Sequence, residues 1–329
     1  MTAPWRILSL PPIGREVVRG MFEPLGDAAE VVFPQTGDRA GLLAALPSAD
    51  IVIADFARGF VLDAEAVAAA RRLSFVQMPA VGVDRLDLAA LTAAGVPVAN
   101  AAGFNARGVA EWVLGAALAL CRNLAWGDRA VRAGGWPQTE MGGRNPRELH
   151  DQRVGVVGFG AIGQETARLF AALGCTVSYW TRRRRPGAAA TYRELDDLMA
   201  TSDILVVALP LTDGTRGLIG PERLALLPAG ALLVNVARGG IAPDDAVLGA
   251  LDSGRLAGAA LDVFDREPLP PDHPLRSHEE VLLSPHTAGA SVQSQLNLIA
   301  AVRDNVTAAV QGRDVQNIVN GVKPQVIRR

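Results

Sequence analysis

The sequence predicts an α/β protein with two parallel sheets, the second of them doubly wound. Three observations carry this. Two successive trains of short apolar runs alternate with amphipathic segments, the second train holds six such runs, and a glycine-rich turn stands at its head. At about 150 residues per domain, a chain of 329 residues suggests two.

The first train fills the first hundred residues. Strands are expected at RILSL (6–10), VVF (31–33), IVIA (51–54), LSFVQ (73–77) and VPVA (96–99), with helices near 13–22, 39–46, 61–71 and 86–94. These runs are short and apolar on both faces, as strands of a covered parallel sheet are. A long helical pattern follows from Asn105 to about Ala133, with Val109, Trp112, Val113, Ala116, Ala117 and Leu120 at helical spacing and Gly134-Gly135-Trp136-Pro137 to close it. It is apolar over much of its circumference, which suits burial between domains or subunits.

The second train opens with VGVVG from Val154, then a helix over 161–173, TVSYW (176–180), a helix near 191–199 and ILVVAL (204–209). It continues with a short helix near 221–227, ALLVNV (231–236), a helix near 243–252, AGAALDV (257–263) and VLLS (281–284). Six strands with helical crossovers are the content of a doubly wound sheet. A final helix is expected from about Ser291 to Gln311.

Scarce residues exclude several chemistries. Lys323 is the single lysine, so no P-loop can form, and a Schiff-base enzyme would depend on a residue close to the last one. Cys121 and Cys175 contain no C-x-x-C and supply neither a zinc cluster nor a disulfide framework, which suits a reducing cytosol. A formal charge of −2 gives no electrostatic reason to expect nucleic acid or a membrane surface as partner. The start, MTAPWRILSLPPIGREV, lacks the marks of a signal peptide, and the best candidate span, Val109 to Cys121, is short and carries Glu111. A soluble cytoplasmic protein is expected, its excess of arginine over lysine reflecting base composition.

Gly158-Phe159-Gly160-Ala161-Ile162-Gly163 is a G-x-G-x-x-G placed directly after a strand and before a helix. There Gly158 permits the tight turn, Gly160 lets the backbone approach a pyrophosphate on the helix amides, and Gly163 allows close helix-to-strand packing. This is a dinucleotide signature. At the end of the second strand, where an acid would bind the ribose 2′-hydroxyl of NAD, stand Thr181-Arg182-Arg183, and no carboxylate follows until Glu194. Guanidinium groups there suit a 2′-phosphate, so NADP(H) is the expected cofactor and NAD(H) the alternative. The bland reading of Arg182 to Arg185 is a solvated turn.

A nicotinamide works on a carbonyl or alcohol carbon whose oxygen needs a proton donor, and histidine is the natural one. Of four histidines, His286 alone follows a strand of the second train, past the edge where open α/β sheets place their ligands. His150 lies at the opposite edge, and His273 and His278 sit in a polar loop. Two more strand ends project charge the same way, at Arg238 and at Glu267. Arginine can hold a carboxylate and polarise the adjacent carbonyl, while a glutamate on the far ring nitrogen orients the histidine.

With Arg238, Glu267 and His286 in that order, downstream of Gly158 to Gly163, the chain resembles the D-2-hydroxyacid dehydrogenase family. Five segments also carry the likeness: Ala80-Val81-Gly82-Val83-Asp84; Asn105 to Glu111; Pro210 to Ile219; Leu261-Asp262-Val263-Phe264; and Ser284 to Gly289. The resemblance implies two Rossmann-like domains with parallel sheets. A dinucleotide-binding domain, 101–290, would be inserted into a flavodoxin-like substrate domain formed by 1–100 and 291–329, with the helix 105–133 in a homodimer interface. It further implies that Arg238 binds the substrate, that His286 is the acid in reduction and the base in oxidation, and that Glu267 tunes it. Substrate contacts are implied at the amides of Val81 and Gly82 and, by likeness to the formate dehydrogenase branch, at Asn105. Asp262 would meet the nicotinamide carboxamide and Pro210 and Thr215 the adenine side. Ala161, Ile162, Val236, Ala237, His286 and Gly289 complete the implied cofactor set.

The missing ribose acid resembles the NADP-using glyoxylate/hydroxypyruvate reductase branch. The chain also stops after its return helix, so the appended regulatory domains of long phosphoglycerate dehydrogenases are not expected. A small 2-oxo acid is therefore the expected substrate. The alternatives are a formate- or phosphite-type dehydrogenase and a non-catalytic NAD(H)-sensing scaffold, the latter disfavoured by the intact charged set. Side-chain specificity is expected from Asp55 to Phe60, Arg58 included, and near Trp136 to Met141.

Overall fold

A computed structural model of the chain describes residues 3–57, 59–83 and 85–329. Its contacts divide into two compact units, residues up to Phe104 together with Val292–Arg329, and Asn105–Ser291.

The first unit holds five parallel strands, β1 (Trp5–Ser9), β2 (Ala29–Val32), β3 (Ile51–Ile53), β4 (Phe75–Gln77) and β5 (Val98–Ala99), in the order β2-β1-β3-β4-β5. That is the flavodoxin-like order, reversing between β1 and β3. Three of its helices start at an aspartate that accepts a first-turn amide: Asp38 from Gly41, Asp63 from Ala66 and Asp87 from Ala90. Such caps satisfy amides that the helix itself cannot. Both faces of the sheet are covered. Leu8, Val52 and Val76 point into one core and Ile7, Ile51 and Phe75 into the other, where Val302, Val306 and Ala309 of the last helix, Val292–Val310, meet them.

At the amino edge of this sheet Asp50 is fully buried. Its carboxylate accepts from Arg72 and Arg328, each at 2.9 Å, and from the Arg6 amide at 2.8 Å. The stretch around Arg328 is thereby tied to β1 and to the segment leading into β4.

The second unit holds seven parallel strands: β6 (Arg153–Val157), β7 (Thr176–Trp180), β8 (Thr191–Tyr192), β9 (Ile204–Val207), β10 (Ala231–Asn235), β11 (Leu256–Leu261) and β12 (Val281–Leu283). Their order is β12-β11-β10-β9-β6-β7-β8, so the winding direction reverses at β6. Alternate residues again enter opposite cores, Val157, Leu205 and Leu233 on one face and Val156, Val206 and Val234 on the other.

Three expectations need correction. The pattern over 105–133 is two helices, Ala106–Cys121 and Leu124–Arg132, bent by 63°. Asn123 takes a left-handed φ of 52°, which asparagine tolerates better than most residues, and the Cys121 carbonyl is taken by the Arg147 amide. The segment near 191–199 begins as strand rather than helix. Thr191 and Tyr192 pair with Ser178 and Tyr179, making a seventh strand, and only Leu195–Ala200 is helical. The helix near 221–227 is likewise confined to Pro221–Leu224, its continuation tightening into three-residue turns. Among the described residues no single helix is long and apolar enough to cross a membrane.

Candidate active site

The sheet of the second unit reverses at β6, and the glycine loop leaves β6 at that point. Gly158 has φ +98°, and a Cβ there would lie 2.4 Å from the Ala208 carbonyl oxygen. A Cβ on Gly163 would lie 2.1 Å from the Gly158 oxygen, so the helix Ala161–Ala172 can seat this closely only on glycine. Gly160 caps that helix with no side chain over its amides and open space where a Cβ would be. Ala161 and Ile162 form its first turn. The loop thus fits a pyrophosphate, which needs backbone amides and unobstructed approach.

β7 ends at Trp180, beside the loop. Thr181 and Arg182 to Arg185 follow and, with Gln164 and Pro186 to Ala188, line a cavity of about 960 Å³. All four arginines are exposed, and among the described residues none forms an ion pair. Across the switch point, Pro210 and Thr215 are joined by a bond from Thr215 Oγ1 to the Pro210 carbonyl at 2.8 Å. Thr215 is buried and also accepts the Thr212 amide at 2.7 Å, which closes this loop on itself.

Arg238, Glu267 and His286 follow β10, β11 and β12, three neighbouring strands with aligned carboxyl ends (Asn235 beside Leu261, and Leu261 beside Leu283). Buried Asn235 braces the first of these loops, accepting the Ala237 amide at 3.0 Å and donating to the Arg238 carbonyl at 3.2 Å. Val236 and Ala237 are buried beneath Arg238, whose Nη1 donates to the Ala237 carbonyl at 2.7 Å. Gly239 then presses against the next loop, its would-be Cβ only 1.9 Å from the Phe264 carbonyl carbon.

Glu267 links the second and third loops. Its Oε1 accepts the Phe264 amide at 3.2 Å, and its Oε2 accepts from His286 Nδ1 at 2.8 Å. The glutamate side chain is mostly buried, while that of His286 is 44% exposed. His286 has φ +58°, a conformation that costs a non-glycine residue about 1–2 kcal/mol. Asp262 compensates for it. Buried at the end of β11, its Oδ1 accepts from Ser284 Oγ at 2.5 Å and the Thr287 amide at 2.7 Å, and its Oδ2 accepts the Ala288 amide at 2.9 Å. Both carboxylate oxygens are thus engaged with the turn that presents His286, a task the sequence did not suggest.

Asn105 packs against this turn as well. A Cβ on Gly289 would lie 2.5 Å from Asn105 Nδ2, and Asn105 Oδ1 is buried without a partner. Val81 and Gly82 belong to the first unit, where the Asn100 side chain donates to the Val81 carbonyl at 2.7 Å. Arg58 lies outside the described residues, as does Asp84. Trp136 is largely exposed.

The remaining histidines have local partners. His150 Nδ1 is 2.9 Å from Asp151, His273 Nδ1 accepts the Leu275 amide, and His278 Nδ1 accepts the Glu280 amide. His273 Nε2 also lies 3.6 Å from Asp244, a buried carboxyl whose pKa is pushed up to about 6 by burial and, secondarily, by the neighbouring Asp265. Asp244 and Asp265 exchange amide-to-carboxylate bonds, at 3.0 and 3.2 Å, which fixes the start of the Glu267 loop. Sequence reasoning missed Asn235, Gly239 and Asp244. The signal available for the first was a polar residue closing an otherwise apolar strand. Among the described residues no group of three or more His, Cys, Asp or Glu side chains is placed to hold a metal.

Residues 114–288 match the family described as D-isomer specific 2-hydroxyacid dehydrogenase, NAD binding domain. The chain is 38% identical over 267 residues to a glyoxylate reductase of Aeropyrum pernix, covering 79% of this chain and 80% of that one. It is 37% identical over 312 residues to a D-3-phosphoglycerate dehydrogenase of Mycobacterium leprae, covering 94% of this chain but 58% of the relative. Among solved structures, an NAD-dependent formate dehydrogenase of Staphylococcus aureus in complex with NAD superposes with a TM-score of 0.79 at 27% identity, over 92% of this chain and 95% of that one.

Proposed function

Because the chain belongs to the D-isomer specific 2-hydroxyacid dehydrogenase family, an oxidoreductase family acting through a nicotinamide dinucleotide, we propose that it reduces a small 2-oxo acid of the glyoxylate or hydroxypyruvate type to the D-2-hydroxy acid and prefers NADPH. The observation that carries this reading is the Glu267–His286 pair, 2.8 Å apart at strand ends adjoining that of Arg238.

A bound nicotinamide supplies the hydride. Arg238 holds the substrate carboxylate and polarises the reacting carbonyl, as its bidentate guanidinium suits. His286 Nε2 donates a proton to the carbonyl oxygen during reduction and recovers one in the reverse direction. Glu267, bonded to Nδ1, fixes the ring orientation and supports the protonated ring. Asn105 contributes its carboxamide, and the first unit, which carries Val81 and Gly82, serves as substrate domain. Gly158 to Gly163 seat the pyrophosphate, and Thr181, Arg182 and Arg183 take the 2′-phosphate. That four neighbouring guanidinium groups have no carboxylate partner among the described residues supports the preference, since such a turn calls for an anion. Exposed Leu118, Leu124 and Val131 along the bent helix pair, with Trp136 just beyond its end, support assembly as a homodimer.

A panel of 2-oxo acids, followed by nicotinamide absorbance with NADPH and NADH in parallel and with formate as the oxidative control, tests the reading. Turnover of a 2-oxo acid with NADPH favoured is expected. No turnover of any member would refute the reductase assignment, and formate oxidation alone would replace it. His286→Ala should lower kcat by 10²-fold or more, in line with the usual contribution of a general acid.

A further inference from the structure

Tyr179 is a buried phenol with no part in the proposed chemistry, and it sits between two parts of the cofactor site. Its ring stacks on Phe159, the residue between the first two loop glycines, with centroids 3.9 Å apart and planes 22° apart. It meets Tyr192 of β8 edge-on at 5.6 Å. Its hydroxyl accepts the Arg185 amide and donates to the Arg185 carbonyl, both at 3.1 Å. β7 ends one residue after Tyr179, so these two bonds close the segment Trp180 to Arg184 back onto its own starting point. Tyr192 supports the same turn from below, its ring 5.7 Å from the Arg184 guanidinium.

The turn needs such a clamp. Arg182 to Arg185 repel one another and, among the described residues, have no carboxylate to gather them, so an unfastened turn would splay into solvent. The aromatic column Phe159–Tyr179–Tyr192 instead fixes the turn relative to the loop that seats the pyrophosphate. One dinucleotide must reach both places, so the spacing between them is part of recognition.

Resting on the reading of Arg182 and Arg183 as 2′-phosphate ligands, we propose that Tyr179 is a positioning residue for that phosphate. Its hydroxyl holds the arginine turn at the distance from the glycine loop that a 2′-phosphorylated dinucleotide requires. Phenylalanine at this position would keep the stack and lose only the clamp.

Calorimetric binding of 2′,5′-ADP, and of 5′-ADP as the control lacking the 2′-phosphate, tests this with the full chain. Wild type should bind 2′,5′-ADP more tightly, and an Arg182→Ala/Arg183→Ala variant should lose the difference. Tyr179→Phe should weaken 2′,5′-ADP about tenfold, or about 1.4 kcal/mol, while 5′-ADP stays within about twofold. If wild type does not distinguish the two nucleotides, the cofactor reading itself falls and the proposal with it. If wild type distinguishes them and the arginine variant does not, but Tyr179→Phe still does, the positioning role alone is overturned. Equal weakening of both nucleotides would mean general distortion and would also overturn it. Should Tyr179→Phe not fold, Tyr192→Leu carries the test, with the same selective loss expected and an unchanged preference refuting the column.

Discussion

Gly239→Ala should pull Arg238 away from the Glu267–His286 pair. A Cβ on Gly239 would lie 1.9 Å from the Phe264 carbonyl carbon and 2.2 Å from the Asp265 nitrogen, both backbone atoms that no side-chain rotation can move. Real Cβ atoms essentially never come within 3.0 Å of a neighbour, so the two segments must part by at least 3.0 − 1.9, about 1.1 Å. That displacement is transmitted, because the Phe264 amide is the donor that holds Glu267 Oε1. A shift of about 1 Å at a reacting centre costs on the order of 10²-fold in rate, or about 2.7 kcal/mol of transition-state stabilisation. The assay is kcat/KM with the best 2-oxo acid, alongside the dinucleotide Kd and a thermal melt. A hundredfold loss of kcat/KM is expected with Kd within about threefold, since the glycine loop leaves β6, which β9 separates from β10. A folded variant retaining a third or more of wild-type kcat/KM would refute the claim that this contact sets the geometry.

Two further substitutions probe the scaffold. Asp244, held near 6 against an ordinary 3.8, keeps its proton in the native state over a range where the unfolded chain has lost it. The fold therefore loses stability as pH rises from about 4 to about 6, and the loss is complete above that range. Asp244→Asn keeps an acceptor for the Asp265 amide, and should be more stable than wild type by about 1–3 kcal/mol at pH 8, with the difference shrinking to about a third of that at pH 4.5. Urea denaturation at both pH values checks the sign, and equal differences at the two would sink the argument. Asp50→Ala removes a fully buried anion and leaves Arg72, Arg328 and the Arg6 amide without their acceptor. It should cost about 3 kcal/mol in the same assay, the low end of the range for a broken buried pair because both arginines reach solvent; a loss below 1 kcal/mol would contradict it.

The fold class and the trio were legible because each depends on local chemistry. Gly158 and Gly163 sit where only glycine fits, at backbone contacts that their spacing already implies. Arg238, Glu267 and His286 were legible because strand ends can be counted, and a parallel sheet brings successive ends to one edge. What escaped depends on pairing between distant segments. A 63° bend at Asn123 leaves the 3.6-residue period nearly intact on either side, so the broken helix read as continuous. Thr191 and Tyr192 form a strand only because β7 offers a free edge. The bonds by which the two oxygens of Asp262 hold Ser284, Thr287 and Ala288 were not legible, being set by the adjacency of β11 and β12.

The first unit is assembled from both ends of the chain, and this orders events during synthesis. As the polypeptide leaves the ribosome, β1 to β5 emerge first, but Ile7, Ile51 and Phe75 must wait for Val302 and Val306, which arrive just over two hundred residues after β5. Asn105–Ser291 lies wholly within the interval and has all its strands before the last helix is made. The nascent chain therefore carries one unit ready to fold and another with an open apolar face, the kind of exposed surface that chaperones exist to shield. Joining Val292–Arg329 ahead of β1, by circular permutation, would remove that wait and should raise the yield of folded protein from a chaperone-poor translation system.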